Sequence, residues 1–471
     1  DRYTSAPCKP QISLSTMSQS AEILKEQFFK SIGLPWQDIL PASRLNELLK
    51  EEGIEYRSRL YTPVVTLWAM IHQVLSPDKS LRNTLKCMST WLKAADEAAP
   101  SADTGAYSKA RGRLSEGLLQ RLVPETAEVL EKQVSAAHYW CGRHVKVFDG
   151  TTVLMSDSAA NQSVYPQHGN QAEGCGFPFA RGVVFFCLLT GAVVSACVAP
   201  KTMSEIVMSR LLYQDLSPAD VAMADQAYGS YVDLALIQQQ QADGVLRKHH
   251  ARATDFRTGR KNASRDHEVE WHKPSTAPAH MSADEFAAIP ETLAVREVCL
   301  RLPRKGFRDQ FVIVVTTLLD AKRYTAENLT ALYGWRWQAA EINLRHLKTT
   351  LQMEMLTAKT PKMVRKEIWT HLLAYNLLRS VMEKAAPLLD YQRSKLSLQG
   401  TRQLFNQMLP LLATTTHDVQ QRLYAHLLDD IAKDTLPERP NRHEPRVVKR
   451  RPKPFPRMRQ PRAVLKAKIV A

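Results

Sequence analysis

The sequence predicts an α/β protein, a mixed β-sheet of five strands interrupted by a β-rich insertion, with a helical N-terminal domain ahead of it. Three observations carry this reading. Helical periodicity dominates to about residue 137, strand periodicity begins at His144, and short apolar strands then alternate with amphipathic helices. That alternation builds a sheet covered by crossover helices. With 471 residues the chain has material for two to four domains. Its formal net charge of +16 points to a polyanion as partner, nucleic acid before membrane surface. No stretch reads as a transmembrane span, since the longest apolar run, Val183 to Ala199, is broken by Thr190-Gly191. Seven scattered cysteines without CxxC spacing suggest reduced thiols in a cytoplasmic protein, with neither a disulfide frame nor a zinc site.

Residues 1–20 read as a disordered extension, with Met17 marking a more ordinary start. Residues 21–140 read as a helical, DNA-binding domain. Its amphipathic pieces are 21–32, 42–52, 63–75, 80–93, 114–123 and 124–137, punctuated by Gly33-Leu34-Pro35 and Ser76-Pro77. The first part of the core spans 141–247. His144 to Phe148 forms a strand that stops at a turn, Asp149-Gly150-Thr151-Thr152. Val183–Leu189 and Ala192–Val198 form a hairpin, then come a helix over 203–216, a strand over 220–224 that delivers Asp225, a helix over 229–241 and a strand over 244–247. Residues 248–308 are basic, broken by prolines and strand-like in places, and read as the insertion. The second part of the core, 309–385, holds the strand FVIVVTT at 311–317, the helix of Glu341, and a long helix over 361–385 expected to pack on the sheet. A helical C-terminal region follows over 386–436. The tail, 437–471, carries twelve Lys and Arg against Glu438 and Glu444, and reads as disordered and polyanion-binding.

Asp149 and Asp225 end two strands that neighbour each other in such a sheet. Two like charges side by side either share a proton or hold a cation. Oxygen donors without Cys or spaced His favour Mg²⁺ or Mn²⁺. Glu341 is the best placed third carboxylate for a site of two ions that cleaves phosphodiesters. It shares a helix face with Arg345 and Lys348 at i, i+4 and i+7, while Leu344, Leu347 and Leu351 make the apolar stripe. Plainer readings are a turn cap at Asp149 and charge pairing on a solvated helix at Glu341.

AspGlyThrThr at 149–152, AlaAspGlnAlaTyrGlySerTyr at 224–231, the set Tyr333, Arg336, Glu341 and Lys348, and the run KTPKMVRKEIWTHLLAYNLLR from Lys359 to Arg379 form one constellation. It resembles the DDE transposases of bacterial insertion sequences, in the group with a Tyr/Arg/Glu/Lys signature and a β-strand insertion before the catalytic Glu. The resemblance covers roughly 145–382. It implies a ribonuclease H-like fold and cut-and-paste transposition of double-stranded DNA, by at least a homodimer on DNA that cleaves inverted-repeat ends and joins them to target DNA. It makes Asp149, Asp225 and Glu341 the catalytic metal ligands and sets Tyr333, Arg336 and Lys348 on DNA phosphates. It also suggests Trp271 or Phe311 as the aromatic that stacks a flipped base. A nuclease or resolvase without strand transfer, and a catalytically dead DNA-binding protein, are the alternatives. The chain departs from the signature at one point. Four residues, Trp337 to Ala340, separate Arg336 from Glu341 where the family has three, and a π-bulge near Ala339-Ala340 is expected to absorb the extra one.

Overall fold

The computed structural model describes residues 14–30, 34–56, 59–302, 310–386, 395–437 and 456–470. They form two compact units. The first contains the described residues up to Leu122 together with Trp369–Ala385 and Gln399–Asp434; the second contains Val123–Ile368 and the remainder.

The first unit is helical. Its N-terminal elements are α1 (Leu14–Lys30), α2 (Ala42–Glu51), α3 (Pro63–Leu75), α4 (Leu81–Ala94), α5 (Gly105–Arg113) and the start of α6 (Glu116–Lys132). Thr62 and Ser80 cap α3 and α4 by accepting the N–H of Val65 and Asn83, and Pro63 takes the first helical position, where no N–H is needed. At its centre Trp36 is fully buried, with its ring 4.9 Å from Phe405, and its indole N–H donates to the Leu377 carbonyl at 2.6 Å.

Four expectations are corrected here. Helix α1 begins at Leu14, inside the stretch expected to be disordered; residues 1–13 lie outside the described residues. Helix α5 was not foreseen, because GAYSKARGR buries only Tyr107, Ala110 and Arg111 and shows no apolar stripe. Helix α6 continues through Pro124 instead of breaking there, since Leu118, Leu119, Leu122, Val123, Ala127 and Leu130 keep one buried face across it. In α12 (Pro361–Ala385), Trp369–Ala385 belongs to the helical unit and not to the sheet. Leu372, Leu373, Tyr375, Leu377, Leu378 and Val381 are all buried, and so are Thr370, His371, Asn376, Arg379 and Ser380, so this half is buried nearly all round, as befits a central helix. Helices α13 (Leu398–Thr414) and α14 (His417–Lys433) belong to the same unit, apart from Leu398.

The second unit is built on one mixed sheet of ten strands. These are β1 (Val145–Met155), β2 (Phe179–Cys187), β3 (Val193–Pro200), β4 (Val221–Ala224), β5 (Asp243–Arg247), β6 (Arg260–Ala263), β7 (Asp266–His272), β8 (Thr292–Leu302), β9 (Gln310–Thr316) and β10 (Met355–Leu356). The spatial order is β3-β2-β1-β4-β5-β9-β8-β7-β6, with β10 beside the end of β1. Strands β1, β4 and β5 are mutually parallel, while β2 runs antiparallel to both of its neighbours, β1 and β3. The five strands from β3 to β5 are therefore the ribonuclease H-like arrangement. The insertion extends the same sheet, because β9 pairs antiparallel with β5 and β8, β7 and β6 follow it outward. The insertion also has a charged interior. Arg296 is buried and donates to Asp266 through Nε at 2.7 Å and through Nη2.

Strand β1 does not stop at Asp149. Asp-Gly is often a turn, but here Gly150 to Leu154 stay paired with Val183 to Phe179, and the alternation of buried and exposed Thr, Val and Leu is that of a strand. One sheet face is covered by α8 (Glu205–Leu212) and α9 (Tyr231–Gln239), around Phe148, Phe185, Met208 and Tyr228. The other is covered by α11 (Ala326–Arg345), around Val147, Met223, Val245, Leu332 and Tyr333. Residues 438–455 of the basic tail lie outside the described residues, and Arg462–Val470 forms a helix, α15, where disorder was expected. No helix among the described residues is long and apolar enough to cross a membrane, and the six described cysteines are free thiols.

Candidate active site

Strand alternation sets the first two carboxylates. Val145 and Val147 of β1, and Val221 and Met223 of β4, lie in the core under α11, so the next residues of the same parity, Asp149 and Asp225, turn toward the α11 face. Val147 pairs with Met223, and two residues further along each strand the aspartates come abreast.

Asp149 accepts the Gly150 N–H at 2.8 Å. Burial pushes its pKa up; the Gly150 bond and Arg336 pull it down, and Asp225 pushes it up again. Asp225 is more open and sits among donors. The Tyr333 hydroxyl donates to Oδ1 at 3.5 Å, Arg336 Nη2 lies 3.7 Å from Oδ2, and Arg247 Nη1 lies 3.7 Å from Oδ1. The Tyr333 pKa is pushed up to about 12 by burial, so the phenol stays a donor across the neutral range. Arg336 is buried, with its guanidinium carbon 5.4 Å from the Tyr333 ring centroid and its Nε without a hydrogen-bond partner. Arg336 thus supplies the positive charge that two adjacent aspartates require.

A cleft of about 660 Å³ opens beside Asp149. Residues 149–152 of β1 line one side of it; Glu341, Arg345 and Lys348 contribute from α11 and the turn that follows. Glu205 enters from the opposite sheet face, at the first position of α8 after the Ser204 cap. It lies directly over Gly150, where a Cβ would meet its carboxylate and make the Glu205 side chain shift. Burial and the Asp149 charge raise the pKa of Glu205, and Arg181 opposes them.

Among the described residues no three His, Cys, Asp or Glu side chains meet closely enough to hold a metal ion. The expected three-carboxylate cluster is not assembled in this structure, and the cause is helical phase. Helix α11 is regular from Ala326 to Arg345, without a bulge near Ala339-Ala340. Arg336 and Glu341, five residues apart, are therefore turned about 140° from each other. Arg336 meets Asp225, while Glu341 opens into the cleft beside Asp149. A π turn does occur, but later, over His346–Thr350, where the Leu351 N–H bonds to the His346 carbonyl at 2.9 Å. This turn takes up the extra residue after Glu341, and Leu347 and Leu351 keep their buried places. The donor chemistry fits a hard divalent cation, since carboxylate oxygens are present without thiolate or imidazole in the cleft wall.

Two aromatic candidates separate. Trp271 is buried, donates to Glu297 at 2.9 Å and is covered by Arg252 at 4.0 Å, whereas Phe311 is 58% exposed. Sequence reasoning missed Glu205 and Arg247. Arg247 carried a signal, as the last residue of the parallel strand beside the one that delivers Asp225. Glu205 carried none, because an acid after a Ser cap is ordinary helix chemistry.

The sequence model of the transposase DDE domain family matches residues 140–377, half of the chain. The transposase InsG of insertion sequence element IS4 from Escherichia coli (strain K12) is 25% identical over 426 residues, covering 89% of this chain and 92% of InsG. A piggyBac transposase synaptic complex with hairpin DNA, solved by cryo-electron microscopy, aligns with 89% of this chain and 85% of its own at 9% identity. Its TM-score is 0.37, a level that carries no argument about this fold.

Proposed function

The chain belongs to the transposase DDE domain family and is a DNA transposase, and on that premise we propose that Asp149, Asp225 and Glu341 are its catalytic carboxylates. Enzymes of this family depend on a divalent metal. Asp149, Asp225 and Glu341 would hold the ions, which their oxygen donors fit as two Mg²⁺ or Mn²⁺. When bound, such ions stabilise charge on the attacking and leaving oxygens of a phosphodiester.

The observation that carries the reading is the pair Asp149 and Asp225, near enough that the charge of Asp225 acts on Asp149, with Asp149 open to a cleft lined by Glu341, Arg345 and Lys348. Arg345 and Lys348 would hold the phosphates of a DNA strand against the carboxylates. Arg336, Tyr333 and Arg247 orient the Asp225 carboxylate; this differs from a direct phosphate contact for Tyr333 and Arg336, and makes them positioning residues. Phe311, more than Trp271, is free to stack on a base. In the first step water attacks phosphorus and the 3′ oxygen leaves. In the second, the freed 3′-hydroxyl attacks a target phosphodiester, whose own 3′ oxygen leaves. Joining both ends in one complex calls for two copies of the chain, acting on DNA at the nucleoid in the cytoplasm.

The test is a strand-transfer assay with Mg²⁺ and a duplex carrying the element's own end. Cleavage plus joining, both abolished by Asp149→Ala and by Glu341→Ala while DNA binding survives, supports the reading. Cleavage without joining makes the chain a nuclease, and cleavage that survives either substitution refutes the carboxylate assignment.

A further inference from the structure

A second cleft, of about 540 Å³, lies within the helical unit, between α4, the end of α3, and α13. Its wall contains Lys86, Arg402, Gln403 and Gln407 and no carboxylate. Arg402 is 93% buried by its 7% exposure, yet its Nε and Nη1 are sealed from solvent without a hydrogen-bond partner. No hydrogen bond or ion pair of its side chain is present among the described residues. Burial alone lowers its pKa, with no acid acting against that burial.

A guanidinium left buried and uncompensated destabilises the fold, so it calls for a ligand of opposite charge. The site around it is built to stay in place. Asn406 ties α13 to α3 by donating to the Leu75 carbonyl at 2.9 Å and to the Arg402 carbonyl at 2.8 Å. His72, also in the wall, has its pKa lowered to about 4 by burial and is neutral at pH 7. Lys86 acts on the charge of Asp78, which is exposed, lies outside the cleft wall and already accepts the Ser80 N–H at 2.9 Å. Lys86 and Arg402 are therefore the charges of the cleft, with the amides of Gln403 and Gln407 at its edge.

We infer that this cleft binds a phosphate group of the DNA backbone, with Arg402 as its buried charge and Lys86 as its outer one. The inference rests on the reading of the chain as a DNA-acting enzyme, and adds a contact outside the catalytic cleft. A phosphate suits the site because guanidinium, ammonium and amide groups all donate to its oxygens. A backbone phosphate is favoured over a free one because the chain carries a net charge of +16, a field that draws in polyanions.

The test uses the full chain in EDTA, a fluorescent duplex, and KCl from roughly 50 to 300 mM, since binding then falls with salt in proportion to the phosphates contacted. Arg402→Met should lower the slope of log K against log salt by about 1 and weaken binding about equally on unrelated duplexes, whereas Arg402→Lys, which keeps the charge, should stay close to wild type. Because it removes an uncompensated buried charge, Arg402→Met should melt no lower than wild type without DNA. An unchanged slope with a lower melting temperature would make Arg402 a structural residue and overturn the inference. Inorganic phosphate that raises the melting temperature of wild type but not of Arg402→Met, with the DNA slope unchanged, would assign the cleft to free phosphate and overturn the DNA assignment. Absence of any duplex binding by wild type would also overturn it. The titration contains no metal and reads binding alone, so a failed cleavage assay would leave its result interpretable.

Discussion

Deleting Ala340 tests whether helical phase keeps Glu341 from the two aspartates. The deletion leaves three residues between Arg336 and Glu341 in place of four, a separation of four positions in place of five, and the angle between them falls from about 140° to about 40°. The turn 341–345 swings by about 100°, and relaxation of the π turn at His346–Thr350 to α-helix lets Leu347 and Leu351 stay buried. Glu341 then joins Asp149 and Asp225 on the Arg336 side. At about 6 Å and an effective dielectric near 20, each new carboxylate pair costs about 3 kcal/mol. The metal-free variant should melt several degrees below wild type, at roughly 2–4 °C per kcal/mol for a unit of this size. Mn²⁺ should reverse this, contributing about 2.7 kcal/mol at a hundredfold excess over its Kd. The assay is a melting curve against Mn²⁺ concentration, where the deletion variant should respond more steeply than wild type. A wild type that responds fully to Mn²⁺ and a deletion variant that does not respond would refute the phase argument.

Two further outcomes follow from the packing. Arg296→Met leaves Asp266 buried and unpaired in the insertion and should cost about 3–5 kcal/mol in chemical denaturation, whereas changing both to apolar residues should recover most of that loss. His72 is neutral in the folded state, with its pKa lowered to about 4 by burial, whereas the unfolded chain takes up the proton near 6.5. Its contribution to stability is therefore fully present above pH 6.5 and is lost as pH falls toward 4, by roughly 3 kcal/mol. His72→Asn should flatten the fall of stability between pH 7 and 4, measured by urea titration.

The strands were legible because β4 is a continuous apolar run that ends just before Asp225, β5 is a short apolar run that ends at Arg247, and the mainly apolar start of β1, Val145–Phe148, leads into Asp149. Asp149 and Asp225 could be paired from that order alone. The course of β1 beyond Asp149 was not legible, because Asp-Gly reads as a turn until the partner residues 179–183 are seen beside it. Helix phase around Glu341 was equally hidden. Both a bulge at Ala340 and a π turn at His346 absorb one residue, and only burial of Leu347 and Leu351 distinguishes them. The affiliation of Trp369–Ala385 depended on Trp36, more than three hundred positions away in sequence, whose indole reaches Leu377.

The central claim is that Asp149, Asp225 and Glu341 serve one metal site. Calorimetric titration of Mn²⁺ into wild type, Asp149→Asn, Asp225→Asn and Glu341→Gln tests it most directly, because each change keeps shape and removes one anionic ligand. Mn²⁺ binding by wild type that is weakened by all three substitutions is the expected result. Binding left unchanged by the three substitutions would contradict it.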